Sequence, residues 1–325
     1  MLNAPVFILG SHKSGTSLLR SLLDNHHDLA VMPAETHFFQ YNGYWVDYKL
    51  RRRLPSHPHA PSMETALRNY ISDHKGGHGP YSANPGFDAF DMDACLSFVK
   101  NKAATSIQER YELYMGAIYN SFFGENLPDN KRIVEKSVEN AEFARILRML
   151  FPDSFFIHIV RNPYATLTSI RKSKSVRHYP FLGNIISSLY NSFYYLSKNG
   201  IGFDRYKIIR YEDLINNTDA VMREIAEFIH IKFDDILLKP TSKGGLWKGN
   251  STSDVQFEGV SQFPLDNWKR HITDLEICLI NRIGDYILKK FEYATLKARK
   301  PSLFIPAKKE GVITYLMNRL LLWQV

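Results

Sequence analysis

The sequence is short of cysteine: Cys95 and Cys278 are the only two in 325 residues. They lie far apart and form no CxxC pair, which argues against both a zinc framework and a disulfide-stapled secreted scaffold. A reducing compartment, and so a cytoplasmic location, is expected. There is no basic leader followed by an apolar stretch and a small-residue cleavage site, because Val6 to Leu9 already reads as a core strand. No apolar run reaches the roughly 20 residues that cross a bilayer. The nearest, Val312 to Trp323, is interrupted by Asn318 and Arg319. Residues 301–325 are expected to hold a docking helix, with peripheral membrane contact or a dimer contact as alternatives. Internal repeats and low-complexity tracts are also missing.

What is present is a chain able to fold. Hydrophobic residues make up 44% and aromatic residues 13%, enough for a large core and against disorder. Lys and Arg number 41 against 33 Asp and Glu, and the formal charge of +8 favours anionic ligands without naming one.

Short apolar runs alternate with helical patterns. Val6 to Leu9 is followed by a glycine-containing loop and a helix from Ser17 to Leu23; further strands are expected at Leu29 to Met32, Arg132 to Glu135, Phe155 to Val160 and Tyr206 to Ile209. Helical spacing runs from Asn140 to Leu150, Tyr164 to Lys172 and Asp274 to Leu288. The alternation implies an α/β fold: a parallel sheet flanked by helices, with ligands beyond the carboxyl ends of the strands. Residues 1–300 are expected to form one domain. An insertion at about 40–130, aperiodic and rich in Tyr, His, Pro and Gly over residues 40–95, is expected to cover the acceptor side.

Gly10-Ser11-His12-Lys13-Ser14-Gly15-Thr16-Ser17 ends the first strand and opens the first helix, so its N–H groups and the helix end can surround a phosphate. A nucleoside-triphosphate loop would read GxxxxGK[ST]; here Thr16 stands where that lysine belongs and Lys13 sits inside the loop. A lysine so placed lies beside the 5′-phosphate of a nucleotide, which puts the reacting bond just beyond that phosphate. Strand 155–160 ends in Arg161, whose planar fork suits a phosphate monoester, and Ser169 follows about two helical turns later.

This pair of motifs resembles the sulfotransferase family, built on a P-loop-like fold and using 3′-phosphoadenosine 5′-phosphosulfate (PAPS). The resemblance covers residues 5–40, 130–175, 205–230 and, more loosely, 240–290. It implies that Lys13 stabilises charge on the leaving phosphate while Ser14, Gly15, Thr16 and Ser17 hold the 5′-phosphate. It also implies that Arg161 and Ser169 hold the 3′-phosphate. Tyr211, in Arg210-Tyr211-Glu212-Asp213, resembles the family tyrosine that meets the nucleotide. Gly244 to Ser251 is similar to the loop that closes over it, although the family's basic triplet is not reproduced; Asn250 and Ser251 are its candidate contacts.

Sulfuryl transfer needs a base for the acceptor proton. Glu35, in Pro33-Ala34-Glu35-Thr36-His37, stands where several carbohydrate- and protein-modifying sulfotransferases put a glutamate, and His37 is the rival. Lys136 in Glu135-Lys136-Ser137 is expected either to share charge stabilisation with Lys13 or to be a surface lysine paired with Glu139. The remaining histidines, including His74 and His78, have no carboxylate or cysteine arrangement that insists on a metal, so none is expected. The acceptor, a hydroxyl or amine compound, leans toward a carbohydrate or glycolipid on the charge and aromatics of the insertion. A P-loop kinase of small metabolites using ATP and magnesium shares the strand-loop-helix start, but no apolar strand ends in aspartate. A non-catalytic nucleic-acid-binding protein is prompted by clusters such as Arg171-Lys172-Ser173-Lys174 and has no recognition motif behind it, so no nucleic-acid partner is expected.

Overall fold

A computed structural model describes residues 2–44, 60–75, 87–175, 178–247, 249, 259–299 and 310–324. In chain order these form β1 (Val6–Gly10), α1 (Thr16–Leu23), β2 (Leu29–Val31), α2 (Phe38–Tyr41), α3 (Met63–Lys75), α4 (Met92–Val99) and α5 (Ile107–Phe123). Then come β3 (Arg132–Glu135), α6 (Asn140–Leu150), β4 (Phe155–Val160), α7 (Pro163–Lys174), α8 (Gly183–Asn199), β5 (Tyr206–Arg210), α9 (Tyr211–Asn216) and α10 (Thr218–Phe228). The short β6 (Thr241–Ser242) and β7 (Gly245–Leu246) make an antiparallel ribbon, followed by α11 (Phe263–Asp266), α12 (Asp274–Ile283), α13 (Asp285–Lys290) and α14 (Val312–Gln324).

The five long strands pair in parallel in the order β2-β3-β1-β4-β5. In β1 the side chains alternate between two covered faces, as a parallel sheet requires. Val6 and Ile8 meet Leu18, Leu19 and Leu22 of α1 and Met222 and Ile225 of α10. Phe7 and Leu9 meet the opposite layer, where Tyr111 of α5 sets its ring edge against Phe7 at 6.3 Å. A third cluster joins Val160 and α7 to α8, α12 and α13.

All five expected strands and the parallel sheet are present. The helix expected from Asp274 to Leu288 is two helices, because Gly284 ends the first and its backbone N–H bonds Ile280 O at 2.8 Å. The stretch expected to be an aperiodic cover is, where described, helical. Tyr70, Tyr111 and Tyr114 of α3 and α5 are fully buried, so this part of the insertion is a structural layer on the sheet. None of the described helices is long and apolar enough to cross a membrane.

After β1 the chain runs to β2 and β3 on one side and returns across β1 to β4 on the other. Such a reversal leaves a crevice beyond the strand ends, here between β1 and β4, which run side by side from Val6 and Phe155 to Gly10 and Ile159.

Candidate active site

The loop after β1 owes its shape to two glycines and a left-handed lysine. Gly10 has φ +152°, and a Cβ there would fall 2.8 Å from the Ile159 carbonyl of β4, so only glycine lets the strands stay this close at the loop's entry. Lys13 adopts φ 61°, and Ser14 closes the turn by sending its N–H and its hydroxyl to Ser11 O at 3.2 and 2.8 Å. Gly15 has φ +104°, and a Cβ on it would sit 2.2 Å from the Tyr211 ring, which therefore lies against the loop backbone.

Arg161 ties this loop to the neighbouring strand end. Its Nη1 donates to Lys13 O at 2.9 Å, its Nη2 donates to Pro264 O at 3.0 Å, and its guanidinium stands 4.7 Å from the Tyr211 ring centroid. The helix that follows is capped by Asn162, whose side chain accepts from the N–H groups of Tyr164 and Ala165. Glu212 accepts from Asn162 N at 3.0 Å and from the Tyr293 hydroxyl at 2.7 Å, fixing Tyr211's neighbour to the same junction.

A second group of charges sits at the ends of β2 and β3. The turn 33–37 is held down by Glu135, which is fully buried and accepts from Thr36 Oγ1 at 2.8 Å, Ser137 Oγ at 2.5 Å and the Asn140 amide. Ser137 Oγ also accepts from the backbone N–H groups of Thr36 and His37 at 3.1 and 3.0 Å, and the Tyr114 hydroxyl donates to Thr36 O at 2.9 Å. Burial pushes the Glu135 carboxyl up, against those hydrogen bonds.

That turn aims Glu35 at Lys136, which ion-pairs with its Oε1. His37 Nε2 stands 3.6 Å from Glu35 Oε2, while its Nδ1 lies 2.9 Å from Glu139. Burial alone would lower the His37 imidazole, but Glu139 and then Glu35 outweigh it and hold it above 6.5. Burial alone would raise Glu35; Lys136, followed by His37 and His12, reverses this and holds the carboxyl well below the usual carboxylate range. Lys136 is thus neither a surface lysine nor the partner of Glu139. Lys13 is held below 10.5 by burial and by the nearby Lys136.

Both groups open on one cleft of about 230 Å³. Lys13, Gly15, Thr16, Ser17, Glu35, Lys136, Arg161, Ser169 and Tyr211 all line it. Two expected site residues do not: Ser14 turns its hydroxyl into the loop, and His37 lies beneath Glu35. Asn250 and Ser251 lie outside the described residues, although Trp247 and Gly249 just before them reach the cleft wall. Sequence reasoning missed His12, Thr168, Lys172 and Trp268, all of which line the cleft. Thr168 Oγ1 is buried with no hydrogen-bond partner among the described residues. Its position seven residues after Arg161, on the helix face that carries Ser169, was the available signal. Burial takes His12 down to about 4, against Glu35, which raises it.

Comparison with known proteins places the chain in a family. The model of the sulfotransferase family matches residues 5–235, most of the chain. The chain belongs to the sulfotransferase family.

The sulfotransferase domain from the curacin biosynthetic pathway superposes with a TM-score of 0.57 at 21% identity, over 91% of this chain and 99% of that one. The sulfotransferase domain of the Synechococcus PCC 7002 olefin synthase gives 0.54 at 23% identity, over 88% and 96%. At such identities the likeness speaks for the fold. No curated protein matches the sequence. Membership of the sulfotransferase family favours sulfuryl transfer over the kinase and nucleic-acid readings, and β4 is followed by Arg161 where a kinase would need a metal-binding aspartate.

Glu35, His37 and Glu139 each bring a ligand atom within 4.8 Å of the others, a donor set that could take a cation. The ammonium of Lys136, paired with Glu35, already supplies positive charge there.

Proposed function

We propose that this sulfotransferase moves a sulfuryl group from PAPS to an acceptor hydroxyl or amine, with Glu35 as general base. One observation carries the reading: a single cleft joins the Lys13 loop, the Arg161 junction and the Glu35–Lys136 ion pair. The residues fit such a donor. The glycine loop offers N–H groups to a 5′-phosphate, and the orphaned Thr168 hydroxyl, with Arg161, Ser169 and Lys172 nearby, offers a second anion site for a 3′-phosphate. The donor supplies a phosphosulfate bond whose sulfur accepts the nucleophile.

Within this reading Lys13 neutralises charge gathering on the leaving phosphate oxygen, and an anion beside it offsets the burial that lowers its pKa. Glu35 is ionised at neutral pH, as a base must be, but Lys136 makes it weak. An anionic oxygen arriving in the cleft competes for the Lys136 ammonium. Drawing Lys136 toward that oxygen releases Glu35 Oε1 and strengthens it as a proton acceptor, so basicity rises only when the cleft is loaded. His37 is a poor rival for the role, because it is buried between two carboxylates that raise its pKa; it positions Glu35.

A sugar or glycolipid hydroxyl heads the list of acceptors on the basic lining of the cleft. Aromatic stacking adds nothing to that preference from the described insertion, whose tyrosines of α3 and α5 point into the core. A hydroxylated acyl chain is the next acceptor to test, since the similar sulfotransferase domains come from the curacin pathway and an olefin synthase.

The decisive experiment supplies labelled PAPS with a panel of sugars, glycolipids, hydroxyacyl compounds, phenols and peptides, alongside calorimetry with adenosine 3′,5′-bisphosphate. Label transfer to one acceptor class, abolished in Glu35→Gln, is expected. Failure to bind the bisphosphate, or undiminished transfer by Glu35→Gln, defeats the proposal.

A further inference from the structure

The C-terminal helix α14 is amphipathic the wrong way round. Its one charged residue and its asparagine face the protein. Asn318 accepts from Leu182 N at 2.7 Å and donates to Pro180 O and Glu310, while Arg319 pairs with the buried Glu310 at 3.3 Å. Among its described side chains the exposed ones are all large and apolar: Val312, Ile313, Leu316, Met317, Leu320 and Trp323, the last 87% exposed. At 100° per residue they fall on one face. They are six of the thirteen exposed large apolar side chains among the described residues, and the other seven are spread over α4, α6, α8, α13, β7 and a loop. Scattered singles are ordinary on any surface; a continuous stripe that excludes charge asks for an apolar neighbour.

We infer that this face lies in the headgroup layer of an anionic lipid surface. Size argues against a second copy as occupant. A 13-residue helix is about 20 Å long and about 10 Å wide, a stripe of a few hundred Å². A stable dimer needs roughly 800 Å² from each partner. A lipid surface sets no such minimum, since apolar burial and charge add there. The charge is of the right sign. Arg282 of α12 donates to Leu322 O at the helix's C-terminal end. Residues 297–309, which lead into the helix, contain five Lys or Arg and no Asp or Glu. Trp323 stands at the end of the stripe, and tryptophan is the side chain most at home at headgroup depth. Because no residue of α14 lines the cleft, the inference holds whichever acceptor the enzyme uses.

The test is flotation of the purified full chain with phosphatidylcholine vesicles, with and without phosphatidylglycerol, in the absence of any donor or acceptor. Binding to the phosphatidylglycerol vesicles, weakened by salt, is expected. Leu316→Glu/Leu320→Glu should reduce it by at least about tenfold, given the apolar burial lost with two leucines. Trp323→Ser, a milder change at the most exposed position, should reduce it in the same direction. Both variants should keep the wild-type circular dichroism and Tm, since the altered side chains make no core. Ile201→Ser, which removes an exposed apolar side chain elsewhere, should leave binding unchanged. Absence of binding overturns the inference, as does binding that ignores the α14 variants. So does a dimer, seen by sedimentation, that Leu320→Glu splits while vesicles stay bare.

Discussion

Lys136 holds one carboxylate oxygen of Glu35 in an ion pair, while the other oxygen, buried and without a hydrogen bond among the described residues, stands 3.6 Å from His37. The proposed base is therefore kept ionised, aimed and restrained by the same neighbours.

Removing the restraint should be visible in the pH profile. In Lys136→Met the acid limb of kcat against pH should move upward, because burial then raises Glu35 with less opposition. Turnover at neutral pH should also drop by about 10²-fold or more, since charge on the transferred group is stabilised less. A limb that stays where the wild type has it removes Glu35 as the titrating base.

Glu35→Gln keeps the size and loses the proton acceptor. Turnover is expected to fall by about 10²- to 10⁴-fold, with affinity for adenosine 3′,5′-bisphosphate retained. A parallel loss of affinity would mean that Glu35 organises the nucleotide site and leaves the acceptor proton to another group.

His37 couples the site to stability. Its pKa is raised above 6.5 in the folded protein, so its contribution is full below that pH and fades as pH rises through the raised value. The variant His37→Gln leaves Glu139 buried without its cation, at a cost of about 3–5 kcal/mol at pH 6. Denaturant titrations at pH 6 and pH 9 should show the gap between wild type and variant shrinking at the higher pH. A gap that widens would contradict the pairing.

Thr168→Val removes only a hydroxyl. With no partner to lose in the free protein, folding stability should hold or rise slightly, whereas affinity for the bisphosphate should fall by about 1 kcal/mol, roughly fivefold. Equal affinities measured by calorimetry would take Thr168 out of the nucleotide site.

The framework was legible because it is local. β1, its loop and α1 follow from a short apolar run, two glycines and leucines at helical spacing, and Arg161 and Ser169 could be placed by counting from a strand end. What escaped depends on groups meeting across the chain. Nothing near Lys136 in sequence points to Glu35, 101 positions earlier, and Glu139 looked like the nearer partner. His37 likewise reads as an available base until Glu139 and a left-handed backbone bury it. The helices of the insertion were masked by tyrosines and polar residues, which break the simple apolar count while packing fully in the core. Thr168 had only its spacing from Arg161 to mark it, because an unsatisfied hydroxyl exists only relative to its surroundings.

The stretch matched by the family model stops at residue 235, yet the cleft is completed by what lies after it. Arg161 reaches Pro264 O, the buried Arg171 reaches both Glu276 and His271 O, and Glu212 takes the Tyr293 hydroxyl. An expression boundary drawn at the end of the recognised segment would cut through these ties. It would strip two arginines of their carbonyl and carboxylate partners and uncover the side of α7 that walls the cleft, so any minimal catalytic fragment has to extend at least through Tyr293.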